Sequence, residues 1–205
     1  MPSVPPFVGK SRLGVLLPLL PEKKSPAQVG TTEGIPVATD GNTGTSGLAA
    51  DLAAFCREAE AIGPGALWAT DHLFWRQPIV ECLTVLTVVA TATKHVALGS
   101  CVLQLPLRHP AALAKQATAI QLISGGRFIL GLGVGRHAPE YAAAGVDFEA
   151  RGKLMDLGIS AMHRAWESGR EPGLGYRQEP ASARIPVWFG GSSAAALRRV
   201  ARWGD

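Results

Sequence analysis

Between Val96 and Gly135 the chain reads VALGSCVLQLPLRHPAALAKQATAIQLISGGRFILGLGVG. Val96 to Leu103 is apolar at nearly every position, the pattern of a strand covered on both faces. His109 to Ile123 then places Leu113, Ala117, Ile120 and Ile123 at helical spacing, with Lys115, Gln116 and Gln121 between them. Gly125 and Gly126 follow, where a helix C-terminus takes residues free to adopt positive φ, and Phe128 to Leu132 is a second buried strand. Strand, helix and strand make one βαβ unit, which implies a parallel sheet with right-handed crossovers.

The flanking sequence repeats this alternation. Arg12 to Leu17 is a first strand, ended by Pro18 and Pro21. Glu22 to Gly47 is rich in Gly, Thr, Pro and Ser and has no periodicity, so it is expected to be a long irregular insertion. Leu48 to Ile62 is an amphipathic helix with Leu48, Leu52, Phe55, Ala59 and Ile62 on one stripe. Ala66 to Thr70 is a strand that delivers Asp71 and His72 at its C-terminal end, and Pro78 to Thr93 is a helix. Glu149 to Ser168 is a further helix, with Leu154, Leu157, Ala161, Ala165 and Trp166 as packing positions. Gly169 to Arg184 is turn-rich, Ile185 to Phe189 is a strand, and Ser192 to Trp203 opens a last helix.

Five such units predict an α/β fold, either a (β/α)8 TIM barrel or a doubly wound sheet. A barrel takes eight units and about 250 residues. The expectation is therefore a single domain, residues 1–205, of barrel type that stops after about five units: a fragment or a half-built barrel. Its open edges would invite association, a homodimer being one form.

Composition narrows the function classes. A 47% hydrophobic chain with net charge +4 and pI near 9.2 is a globular protein with a mildly basic surface. The basic residues are scattered and not interleaved with aromatics, which argues against nucleic-acid binding. Cys56, Cys82 and Cys101 lack CxxC or Cys/His spacing and are expected to be buried free thiols in a reducing cytoplasm. The five histidines show no metal-binding pattern, so no metal is expected. Leu13 to Leu20 faintly resembles a signal peptide but is short and cut by Pro18, and no run reaches the roughly 18 to 20 apolar residues of a membrane span. A soluble, cytoplasmic protein is the expectation.

Four features fall at predicted strand C-termini, the face where barrels place their sites. Asp71 and His72, with Trp75 nearby, offer acid–base chemistry; a histidine merely satisfied by a neighbouring carboxylate is the equal alternative. Gly99-Ser100-Cys101-Val102 is followed by Arg108-His109-Pro110, where Arg108 either holds an anion or is a solvated loop residue. Gly131 to His137, GLGVGRH, matches the dinucleotide fingerprint only in part, because Arg136 stands at the third glycine. Its glycines either admit a planar cofactor to the backbone or end the strand. Gly190, Gly191 and Ser192, between a strand and a helix, could cradle a phosphate with backbone N–H groups or form an ordinary turn.

Taken together, GALWATDHLFW, the Val96–Gly135 block, EYAAAGVDFEARGKLMD and PVWFGGSSAAALRRVARWGD resemble the bacterial-luciferase-like monooxygenase family, in particular its branch that uses the deazaflavin coenzyme F420. The resemblance implies a (β/α)8 barrel with the cofactor, F420 or alternatively FMN, across its C-terminal mouth. It implies an oxidoreductase that transfers hydride, or activates oxygen, on a small organic molecule. His72 falls on the family's active-site histidine, and Cys101–Val102 where members often have a non-prolyl cis peptide behind the cofactor ring. Gly190, Gly191 and Ser192 fall on the segment that grips the cofactor phosphate, and Asp71, Ser100, Gly133 and Gly135 complete the expected cofactor-binding set. Arg136 and His137 stand where some relatives carry a glutamate general acid, and Glu140 is the nearby substitute. The rival reading is a truncated, non-catalytic member acting as a binding subunit. A nicotinamide-dependent Rossmann enzyme is disfavoured, because Leu17-Pro18-Leu19-Leu20 is no glycine-rich turn.

Overall fold

A computed structural model describes residues 14–17, 47–76, 79–168 and 184–205. The insertion from Glu22, Gly47 apart, and the connection from Gly169 up to Arg184 lie outside the described residues, as do Arg12, Leu13 and Pro78. The strands are β1 (Gly14–Leu16), β2 (Ala66–Ala69), β3 (Ala97–Ser100), β4 (Leu103–Gln104), β5 (Phe128–Gly133) and β6 (Val187–Phe189). The helices are α1 (Gly47–Ile62), α2 (Cys82–Ala92), α3 (Pro110–Ile123), α4 (Ala138–Ala143), α5 (Arg151–Ser168) and α6 (Ala194–Trp203), with a 3-10 turn at Leu105–Leu107.

Every strand pairing is parallel. β1 lies beside β2, β2 beside β3, and β5 beside both β3 and β4 on one side and β6 on the other. β3 and β4 are two halves of one strand: Leu98 aligns with Phe128 at the start of β5, and Leu103 with Leu132 near its end. Between the halves, the Cys101–Val102 peptide is cis. Parallel strands laid down in chain order form the wall of a (β/α)8 barrel; a doubly wound sheet would reverse order at a switch point. The helices cover the wall in the same sequence, α1 against α2, α2 against α3 and α3 against α5.

All of β5 is buried, as its unbroken apolar run requires of a strand covered on both faces. The helix faces keep most of the expected positions, with Leu52, Ala59, Leu113, Ala117, Ile120 and Ala165 buried and Leu48, Phe55 and Trp166 packed against the core, and depart at a few. Ile62 is 87% exposed and Cys56 takes the buried place beside Leu52 and Ala59. In α5 the buried stripe is Met155, Ile159, Met162 and Ala165, while Leu157 faces solvent. Ile123, at the end of α3, is half exposed, and Gln121 is buried because its amide accepts from Phe128 N (3.0 Å) and donates to the Arg184 carbonyl (3.1 Å). Cys56 and Cys82 are buried as expected, but Cys101 is exposed, because it sits where the strand breaks.

The N-terminal ends of the strands are closed by two charges spent on backbone. The Glu60 carboxylate accepts from the N–H groups of Lys94, His95 and Val96 at 2.7–3.1 Å, which stitches α1 to the entry of β3. The Arg127 guanidinium donates to the carbonyls of Ala90, Thr93, Val96 and Ser124, tying α2 and α3 to the start of β5.

Candidate active site

Asp71 and His72 leave β2 at its C-terminal end, and neighbouring strands supply their partners. Asp71 is buried; one carboxylate oxygen takes the Arg108 guanidinium and the other accepts from Gln104 N at 2.9 Å. Burial pushes its pKa above the usual carboxylate value, against the pull of Arg108 and the Gln104 N–H. Arg108 is therefore not a solvated loop arginine. Its other carboxylate neighbour is Glu81, at 3.5 Å.

His72 is held on two sides. Its ring stacks on Trp75 with centroids 3.9 Å apart, and Trp75 meets His137 edge-on at 5.3 Å. Its Nδ1 lies 3.0 Å from Oε2 of Glu140, whose side chain is fully buried while that of His72 is 27% exposed. Glu140 sits in the first turn of α4 and reaches back to the β2–α2 loop. Its Oε1 accepts from Leu73 N at 2.6 Å and Phe74 N at 3.2 Å, and its Oε2 also accepts from Gln104 Nε2 at 3.1 Å. Burial alone would raise the Glu140 pKa, but the bonds from His72, Gln104 and the two N–H groups together bring it below its usual value. Glu140 is thus an ionised acceptor, spent on holding the loop.

Gln104 joins the two carboxylates. Its Nε2 also donates to the Asp71 carbonyl at 3.2 Å, while its Oε1 is buried without a partner, against Gly135. Exchanging the amide ends would turn the oxygen towards two acceptors and leave the NH2 with none, so the orientation is set by its surroundings. Gly135 has φ +68°, and a Cβ there would fall on Gln104 Oε1. The tight fit, more than a turn, demands glycine.

The remaining predicted residues gather around Val102. A Cβ at Gly133 would lie 2.5 Å from Val102 Cγ2, and one at Gly190 would lie 3.0 Å from Cγ1. The room left by these glycines is filled by a side chain of this chain. Ser100 is buried and donates to the Gly131 carbonyl at 2.8 Å. Cys101 is exposed, Val102 is half-buried, and Gly190 N donates to the Leu132 carbonyl at 2.8 Å, which holds the β6–α6 turn against the end of β5. Gly191 (φ +111°), Ser192 and Ser193 are exposed, and Ser193 caps α6 by accepting from Ala196 N at 3.2 Å.

The predicted set thus divides. Cys101, Gly191 and Ser192 are exposed and His72, Val102, Gly135 and Gly190 half-buried at the C-terminal ends of the strands, whereas Asp71, Ser100 and Gly133 are buried behind them. Gln104 was missed by sequence reasoning, and Glu140 was assigned no partner. The signals were a lone polar residue inside an apolar run, which must find partners when buried, and an acidic residue just after Pro139, the pattern of a helix start. Among the described residues no cluster of His, Cys, Asp or Glu could hold a metal.

Consecutive parallel βα units with polar side chains collected at the strand C-termini define a barrel-type α/β protein. The chain belongs to the luciferase-like monooxygenase family, whose model matches residues 34–205. It is 29% identical over 171 residues to an F420-dependent glucose-6-phosphate dehydrogenase of Amycolatopsis mediterranei, covering 76% of this chain and 51% of that protein. It is 27% identical over 139 residues to the oxygenase component of the flavin-dependent trigonelline monooxygenase of Acinetobacter baylyi, covering 66% of this chain and 39% of the relative. A solved F420-dependent secondary alcohol dehydrogenase, in complex with an F420-acetone adduct, matches with TM-score 0.68 at 17% identity over 96% of this chain and 57% of the other. The chain spans about half the length of the curated relatives it matches.

Proposed function

We propose that this chain carries the cofactor and proton-transfer site of an oxidoreductase acting on a small organic molecule through coenzyme F420. The observation that carries the reading is the His72 imidazole, fixed by Glu140 and Trp75 yet still accessible, at the same end of the sheet as the exposed start of α6. The donor set fits an anionic, planar cofactor. The first N–H groups of a helix have no intrahelical partner and attract phosphate, and here they follow Gly190, Gly191 and Ser192. A Cβ at Gly190 would meet Val102, so the proposed phosphate seat and the step from exposed Cys101 to Val102 adjoin.

When bound, the coenzyme supplies the ring that accepts or gives hydride. His72 takes or returns the accompanying proton at Nε2, the ring nitrogen not engaged by Glu140. Trp75 and Glu140 keep the imidazole in place. Asp71, Ser100, Gly133 and Gly135 hold the strand ends that present these groups. F420 is preferred to FMN because the F420-dependent relative matches 76% of the chain and the flavin-dependent trigonelline monooxygenase 66%.

Titration of the purified chain with oxidised F420 and, separately, FMN, followed by cofactor fluorescence, tests the proposal. Saturable binding with F420 tighter than FMN is the expected result. Tighter FMN binding would replace hydride transfer to F420 by flavin chemistry. Absence of binding by a chain shown to be folded would favour the non-catalytic binding subunit.

A further inference from the structure

We infer that Glu140 is a positioning residue that fixes neutral His72 as the tautomer protonated on Nδ1, leaving Nε2 as the bare, proton-accepting nitrogen. The inference follows from counting donors. Oε2 of Glu140 lies 3.0 Å from His72 Nδ1 and is also the acceptor for Gln104 Nε2 at 3.1 Å. Gln104 has two amide protons, and two acceptors take them: Glu140 Oε2 and the Asp71 carbonyl at 3.2 Å. The amide nitrogen is 3.5 Å from Nδ1 but has no proton left for it. A carboxylate has none to give. The hydrogen between Nδ1 and Glu140 is therefore the imidazole's own.

Protonating Glu140 instead would set a hydroxyl among groups that already donate to it, two backbone N–H groups and the Gln104 amide, in a buried pocket. The lowered pKa of Glu140 agrees with this count. The other charged or titratable groups around the pocket are Asp71, which is engaged by Arg108, Glu81 beside Arg108, and His137 across Trp75. His72 Nε2 has no hydrogen bond among the described residues. The carboxylate that braces the loop also faces a strand-end histidine, where it sets which nitrogen can act.

The inference rests on the proposed function only in giving Nε2 a task; the tautomer itself needs no cofactor. The test is ¹⁵N NMR of histidine-labelled chain at alkaline pH, with His72→Gln to assign the signal. The expected spectrum has a protonated, pyrrole-type Nδ1 and an unprotonated, pyridine-type Nε2. In Glu140→Gln the amide oxygen keeps the Leu73 and Phe74 N–H groups and the NH2 faces Nδ1, so the two nitrogens exchange character. A wild-type ring protonated on Nε2, or a tautomer unchanged in a folded Glu140→Gln chain, overturns the assignment. Should Glu140→Gln not fold, the wild-type spectrum decides. Failure of F420 and FMN to bind overturns the proposed function and leaves this measurement standing.

Discussion

His72 owes its position to residues far away in sequence, and its substitution separates binding from chemistry. Under the proposed function, His72→Ala should still bind the coenzyme, because the proposed cradle at Gly190 to Ser192 is untouched, while turnover should fall by about 10² to 10⁴, the usual worth of a positioned acid or base. Comparing the cofactor titration with single-turnover rates checks this; equal turnover in both proteins would remove His72 from the mechanism. Gly135→Ala should destabilise by about 1–3 kcal/mol, since it puts a side chain at positive φ and into the Gln104 amide. Thermal unfolding measures the cost. At this scale the sequence placed His72 at a strand end, which is a local property. It did not disclose the partnership with Glu140, which lies 68 residues on and exists only because neighbouring strands are brought side by side.

Among the elements, the interrupted strand is the most informative. Val96 to Leu103 reads as one apolar run, yet it forms β3 and β4, both paired to β5, with Val102 turned into the space left by Gly133 and Gly190. Gly133→Ala should therefore overpack Val102 and cost about 1–3 kcal/mol, and the added change Val102→Ala should recover part of it. Urea unfolding of the single and double variants reads this coupling; strictly additive losses would show that the two do not share space. Periodicity located the long helices but missed α4, whose six residues are too few for a repeat to show. It also took Leu154 and Leu157 of α5 for packing positions where Met155 and Ile159 are the buried residues, because these are equally apolar and only packing against α3 decides between them; Ala165 is buried as expected.

On the scale of the whole molecule, a parallel α/β fold followed from the alternation of strands and helices, whereas strand order, and with it the choice between barrel wall and doubly wound sheet, required the pairings. Acid stability belongs to this scale too. Glu60 and Glu140 both have folded pKa values below the usual 4.5. For Glu60, burial works upward and is outweighed by the N–H groups of Val96, His95 and Lys94. A depressed folded value contributes stability that is fully present above the unfolded pKa and is lost as pH falls through the folded one. Asp71, whose folded pKa is raised, acts in the opposite sense, and its protonation in acid relieves a cost. The urea midpoint should thus decline as pH drops below 4.5, and Glu60→Gln should flatten part of that decline. At neutral pH the same substitution should cost about 1–2 kcal/mol, discounted for the partial exposure of Glu60. An undiminished acid slope in Glu60→Gln would assign the loss elsewhere.

Adjacent residues of α4 grip two different loops: Glu140 holds Leu73 and Phe74 after β2, and the buried Tyr141 hydroxyl holds the Val134 carbonyl after β5. The two segments are thereby geared together, so the His72 loop cannot swing outward unless Glu140 lets go. The amide protons of Leu73 and Phe74 become timekeepers for that motion, since each meets solvent only during release. Their deuterium uptake should be slow despite the half-exposed Phe74 side chain, and Glu140→Ala should accelerate both together without touching the amides that Glu60 holds at the far end of the sheet.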